Sequence, residues 1–371
     1  MSERTPFNEK EQEVIGVHPS GAYGMFVNMG IDTMPPVEPI YNRPITPREN
    51  MKLLFSGKTP WWIPHTGMAY TEVNNFRPRI FPDNIAVRLV WDGEEPPMEY
   101  KDLTATGWFN LDWVFVPVAG GATVKPGSPM LEDMNDWEEV LEWPDLDAMD
   151  WEAMGRGNAA YFETPQANEL GLLDGFWERL ISLMDVSGAA IALVDEDQKE
   201  ALHAFFDRYA DHMIECIRRV KAVLPLDGVL IHDDWGTQNG PFFSPETARE
   251  MLLPYLKRIV DYIHSEGMFY EQHSCGNCTT LVPIYMEAGV DLWTPQLMND
   301  LDGILRTCRG SKLHIGMPCP VGPEASEEEA RQAARDWFDK YGEEQVTISP
   351  MMSHPAFMEE LYKVSRIRYA G

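Results

Sequence analysis

Apolar positions first fall at helical spacing in ITPRENMKLLFSG. There Thr46 supplies an N-cap, Pro47 takes the first helical position, Glu49 completes a capping box and Gly57 ends the helix. The WWI that follows reads as a strand. From residue 197 onward the alternation is regular. Leu202, Phe205, Phe206, Tyr209, Met213, Ile217 and Val220 make one helical stripe, and GVLIHDDW follows as a strand. Ser244 and Pro245 open a helix that Gly267 closes, and MFYEQH is the next strand. A helix to Gly289, the strand VDLWTPQ, the short helix LDGILRTC, the strand KLHIGM, a Ser326-capped helix to Tyr341, the strand VTISP and a last helix complete the series. Strands separated by helices of this length pair in parallel through right-handed crossovers. No G-x-G-x-x-G or P-loop follows any of them, so the cofactor marks of an open doubly wound sheet are missing and a closed (β/α)8 TIM barrel is expected.

Two stretches do not obey this rhythm. The first forty or so residues are rich in Pro, Gly and Met without a period, which predicts an irregular N-terminal extension over 1–45 and a barrel over 46–371. Residues 75 to 195 carry Trp-rich, hairpin-like runs that read either as barrel strands or as an insertion.

Composition narrows the partners. Against 30 Lys and Arg stand 59 Asp and Glu, a formal charge of −29 that repels nucleic acid and anionic bilayers alike. Runs such as DEDQKE and EASEEEA make most of that excess a solvated surface. The five cysteines give no disulfide framework and fit a reducing cytosol, and no apolar run reaches the roughly 20 residues that cross a bilayer. A cytoplasmic protein acting on small molecules or other proteins is expected.

Polar residues gather just after the strands, where a barrel opens its mouth: His232, Asp233 and Asp234; His273 and Cys275; Gln296; Cys319; His354. His273 and Cys275 stand at i and i+2, so an imidazole nitrogen and a thiolate leave the strand on one side and can meet one zinc ion. Zinc takes three or four such ligands, so the pair needs a remote partner. Cys275 and Cys278 also spell C-x-x-C, the spacing of a redox pair, and a buried His and Cys without a ligand is the third reading. His232, Asp233 or Asp234 can supply a proton or hold substrate, with Gln238 nearby; the same carboxylates can instead cap a loop or orient a ligand. Trp62 and His65 on the first strand, Trp235 and Gln296 are candidate substrate walls, Trp235 being equally at home in a core.

The run GVLIHDDWGTQNGPFFSPETAREMLLPYLKRIVDYIHSEGM, then HSCGN, then LVPIYMEAGVDLWTPQ, resembles the uroporphyrinogen decarboxylase superfamily, especially its corrinoid-dependent methyltransferase branch. The resemblance implies a distorted (β/α)8 barrel in which a His-x-Cys, here His273 and Cys275, binds zinc with a third ligand near the last strand. It further implies methyl transfer to or from cobalamin carried on a separate corrinoid protein, since no D-x-H-x-x-G signature occurs in this chain. Two departures refine the expectation. Decarboxylases of the family carry MRQAGR, whose arginines bind propionates, where this chain reads PWWIPHTGMAYTE, so porphyrinogen decarboxylation is not expected. Thiol-methylating members have a cysteine at the last strand where this chain reads VTISPMMSHPAF, which leaves His354, Cys319 or Glu271 as the third ligand and favours demethylation of a donor, such as an aromatic methyl ether, over a thiol acceptor. A partner that binds the corrinoid protein without catalysis is the remaining alternative.

Overall fold

The computed structural model describes residues 4–19, 37–67, 71–83, 104–116, 121–125, 127, 129–349 and 354–370. Parts of the N-terminal extension and of the Trp-rich middle, and the PMMS before His354, lie outside the described residues.

A parallel sheet of seven strands curls around the centre. In chain order its members are β3 (Val73–Phe76), β7 (Ala167–Leu172), β8 (Gly228–His232), β9 (Phe269–His273), β10 (Leu292–Trp293), β11 (His314–Met317) and β12 (Val346–Ile348). Each pairs with the next, from β3 at one edge to β12 at the other. The eighth position is filled by the extended segment 62–66. His65 bridges in parallel to Ile348, Thr66 N–H donates to the Ile348 carbonyl (2.9 Å), and Ile348 N–H donates to the Pro64 carbonyl (2.9 Å). On its other side the Glu72 N–H donates to the His65 carbonyl (2.7 Å), just ahead of β3. The expected barrel is therefore present in distorted form. The expected WWI strand does not form, the pairing there being a single bridge at His65, and β10 is two residues long.

The helix Lys199–Val223 buries the stripe read from its sequence, every member at most 3% exposed, which fixes this helix on the outer wall of the barrel. The helix expected from Ser244 to Gly267 is two helices, Pro245–Met251 and Leu253–Ser265. Pro254 has no N–H to continue the first ladder and restarts the second as its early-turn residue.

Between β3 and β7 the chain leaves the barrel. β4 (Thr104–Thr106), β5 (Asp112–Val116) and β6 (Gly121–Val124) form a separate antiparallel sheet, so the Trp-rich runs are an insertion and not barrel strands. The N-terminal extension is more ordered than expected, because β1 (Val14–Pro19) and β2 (Val37–Tyr41) pair as an antiparallel hairpin. Buried Glu11 ties this arm to the last helix, accepting from Tyr362 Oη (2.6 Å) and Arg366 Nη2 (3.2 Å).

His212, on the inner face of Lys199–Val223, lies edge-on to Trp108 with ring centroids 4.7 Å apart. Burial, with Arg179 and Arg208 beside it, holds its pKa at about 3 instead of the usual 6.5. Between those values the unfolded chain binds a proton that the folded one does not, so stability is full above 6.5 and falls as pH drops towards the folded pKa. Denaturant midpoints measured at pH 7 and pH 5 are expected to fall on acidification, and less steeply in a His212→Phe variant.

Candidate metal centre at the barrel mouth

β8 and β9 end in register, His232 opposite His273. Their rings stack with centroids 4.4 Å apart and planes 22° apart. Two residues further on each chain come Asp234 and Cys275, which the two-residue period of an extended chain returns to the same side. One donor atom from each of His232, Asp234, His273 and Cys275 lies within 4.8 Å of the other three, and among the described residues this is the one such group of three or more. His273 Nε2 is 3.4 Å from Cys275 Sγ and 3.8 Å from Asp234 Oδ1, and His232 Nε2 is 3.7 Å from the same oxygen.

These separations test the fit to zinc. Bonds of roughly 2.0–2.3 Å place the corners of a tetrahedron roughly 3.3–3.8 Å apart. The three separations of 3.4 to 3.8 Å match that spacing, the whole set lies within 4.8 Å, and two nitrogens, one sulfur and one carboxylate oxygen suit that ion's taste in ligands.

The loop that presents Cys275 is fixed from four directions. Cys275 N–H donates to Asp234 Oδ1 (2.6 Å), Gly276 N–H to Gln296 Oε1 (2.7 Å), Asn277 N–H to the Thr237 carbonyl (2.7 Å) and Cys278 N–H to Asn299 Oδ1 (2.8 Å). Gly276 itself turns with φ +80°, the left-handed region that favours glycine.

Charge is organised around the two rings. Burial disfavours a His232 cation, but the carboxylates of Glu178 and Asp234 outweigh it and hold its pKa well above the ordinary range. Burial and the His232 cation push His273 the other way, to about 3. Burial likewise raises the Cys275 thiol. A neutral imidazole is thus ready at His273, while His232 and Cys275 give up protons when a cation enters.

The other candidates go elsewhere. Asp233, one residue out of phase, faces away from the cluster: its Oδ1 accepts from Glu178 N–H (2.8 Å) and its Oδ2 from Trp177 N–H (3.2 Å) and Trp235 Nε1 (2.7 Å). It caps the helix Phe176–Ala192, the capping role that the sequence left open for these carboxylates. Trp235, fully buried, belongs to that core contact, and Gln238 is exposed on the turn beyond it. His354 Nδ1 accepts from Ala356 N–H (3.1 Å) at the start of the last helix, and the Cys319 thiol donates to the Val321 carbonyl (3.2 Å); neither joins the four-donor group. Glu271, on the His273 face of β9 but deeper, lies in the lumen against Glu169, and its Oε1 accepts from Thr294 Oγ1 (3.2 Å). The donor atoms grouped with those of His273 and Cys275 belong to His232 and Asp234 on the neighbouring strand and not to these three residues.

Gln296, through its Oε1, holds the Gly276 N–H of the Cys275 loop. Trp62 is wholly buried, donating to Glu72 Oε1 (2.6 Å), and His65 is buried at the barrel seam. Cys278 is turned inward, its Sγ 3.1 Å from Ser274 Oγ, and burial raises its thiol to about 11, far from the reactive member of a redox pair. One contributor escaped the sequence reading. Glu178 Oε2 lies 2.8 Å from His232 Nδ1, yet an acid in the first turn of a helix reads as an ordinary dipole partner.

Residues 175–348 match the family described as uroporphyrinogen decarboxylase (URO-D). A solved methyltransferase from Methanosarcina mazei superimposes with a TM-score of 0.53 at 13% identity, over 88% of this chain and 98% of that one, a likeness of fold alone. A putative vitamin-B12 independent methionine synthase from Listeria monocytogenes shares 13% identity over 57% of this chain and 65% of its own, and its TM-score of 0.33 carries no argument. No curated protein matches. Among the described residues no helix is long and apolar enough to cross a membrane.

Proposed function

We propose that this chain is a zinc-dependent methyltransferase that removes a methyl group from a small donor, an aromatic methyl ether, and passes it to the cobalt of a separate corrinoid protein. The observation that carries the reading is the four-donor group at the mouth of a barrel whose residues 175–348 match the uroporphyrinogen decarboxylase family. His232, Asp234, His273 and Cys275 would hold the zinc. When bound, it supplies a Lewis acid that polarises the donor's oxygen and stabilises the leaving phenoxide.

The rest is the work of the chain itself. Glu178 and Gln296 hold His232 and the Cys275 loop, so that the donor meets groups already in place. Beside the end of β7, Phe81, Trp108, Leu172, Leu173 and Met213 line a small recess together with Arg77 and Asp83. The corrinoid partner belongs to this proposal through the family resemblance, and it would serve as the acceptor that the transferred methyl needs.

The reading is tested by following cobalt(I) corrinoid converting to methyl-cobalt in the visible spectrum, with zinc-loaded protein and a panel of methoxylated arenes, methylated amines and thioethers. Methyl-cobalt formation with the arenes is the expected result. Carbon dioxide release from a porphyrinogen, or no methyl-cobalt with any donor class, would overturn it.

A further inference from the structure

We propose that Glu178 is the positioning residue of the metal centre: its carboxylate fixes His232 with the proton on Nδ1 and so leaves Nε2 as the donor atom facing Asp234, His273 and Cys275. The inference rests on the metal-centre reading above. Once His232 has given up one proton to a bound cation, its neutral ring keeps a single N–H, and because a carboxylate accepts, the nitrogen 2.8 Å from Glu178 Oε2 is the one that retains it. The opposite nitrogen then offers a lone pair 3.7 Å from Asp234 Oδ1, inside the four-donor group. Both side chains are largely sheltered, 18% and 14% exposed, so water competes little for either nitrogen.

Glu178 is itself held on the strand that it serves. Gly175 N–H donates to the His232 carbonyl (2.8 Å), and Trp177 and Glu178 N–H donate to the Asp233 carboxylate (3.2 and 2.8 Å). A Cβ at Gly175 would stand 2.4 Å from Asp233 Cγ, so the helix start lies directly on the end of β8. The three consecutive residues His232, Asp233 and Asp234 thereby divide the task. The outer two point into the cluster, and the middle one anchors the helix whose Glu178 returns to the first.

Outer partners of this kind change metal affinity by roughly 10–100-fold when removed. The test compares wild type with Glu178→Ala, Glu178→Leu and Glu178→Gln. Zinc affinity is measured by competition with a chromophoric chelator, the visible bands of the cobalt(II)-loaded proteins report ligand geometry, and melting temperature is read on the same samples. Ala and Leu are expected to bind zinc about 10–100-fold more weakly with altered cobalt bands. Gln, whose amide oxygen still accepts the Nδ1 proton, restores most of the loss. Leu fills the volume should truncation to Ala unfold the chain. Unchanged affinity in Leu, or Gln as weak as Leu, overturns the role, even where the melting temperatures fall. Absence of zinc binding by the wild type overturns the metal centre itself, a different failure.

Discussion

Protein purified without added metal is expected to carry about one zinc per chain, and Cys275→Ser or His273→Ala to lose it, each by more than the roughly 100-fold that an outer partner costs. The reasoning is local. Cys275 supplies the sulfur of the set and His273 the ring that burial already keeps neutral, so neither has a substitute at 3.4 to 3.8 Å. Asp234→Ala and His232→Ala are expected to follow, since the two rings and the carboxylate share one oxygen-centred contact. His354→Ala and Cys319→Ser are the controls. Both residues are engaged with backbone groups outside the cluster, and their loss should leave zinc unchanged. Elemental analysis after dialysis against a weak chelator decides among these outcomes. A wild-type protein free of metal, with methyl transfer intact, would remove the centre from the mechanism; full zinc retention in Cys275→Ser would show that the four donors are not the ligand set.

The pattern of the chain carried some of this and hid the rest. In the second half short connections separate helices and strands, so each hydrophobic stripe answers to one wall of the barrel, and His273 and Cys275 could be paired from their spacing alone. The same two-residue parity separates Asp234 from Asp233, yet that choice needs the end of β8 to be known, and HDD offers three polar residues in a row. That His232 and Asp234 complete the set depends on the register of β8 against β9, which is a tertiary fact with no local trace. β7 was hidden for another reason. ANELGL is buried on both sides, but its lumen face carries Glu169 and Gly171 in place of apolar residues, and so it shows no alternation. Polar lumen residues are what a barrel with a site at its mouth has and what a hydrophobic pattern cannot display.

Gly276→Ala is expected to cost the centre its zinc although every ligand remains. Two separate effects act at this position. The φ of +80° costs an alanine about 1–2 kcal/mol in the left-handed region. The second effect is larger, because a Cβ on residue 276 would lie 2.3 Å from the Gly236 carbonyl carbon and 2.7 Å from its Cα, both backbone atoms that have no rotamer in which to retreat. Gly236 in turn faces the Cys275 carbonyl and Cys278 Sγ, at 2.7 and 2.8 Å from its own notional Cβ. The loops after β8 and β9 thus cross glycine against glycine, and the crossing sets how near Asp234 comes to Cys275. Forcing it apart by even an ångström moves the sulfur out of a set whose members are spaced for a single ion. Gly276→Asn separates the two effects, since asparagine tolerates the left-handed region but brings the same Cβ. Chelator competition should show both variants losing zinc to a similar degree. If asparagine retains the metal while alanine loses it, backbone conformation governs the site; if both retain it, the loop yields without disturbing the donors and the crossing does not position them.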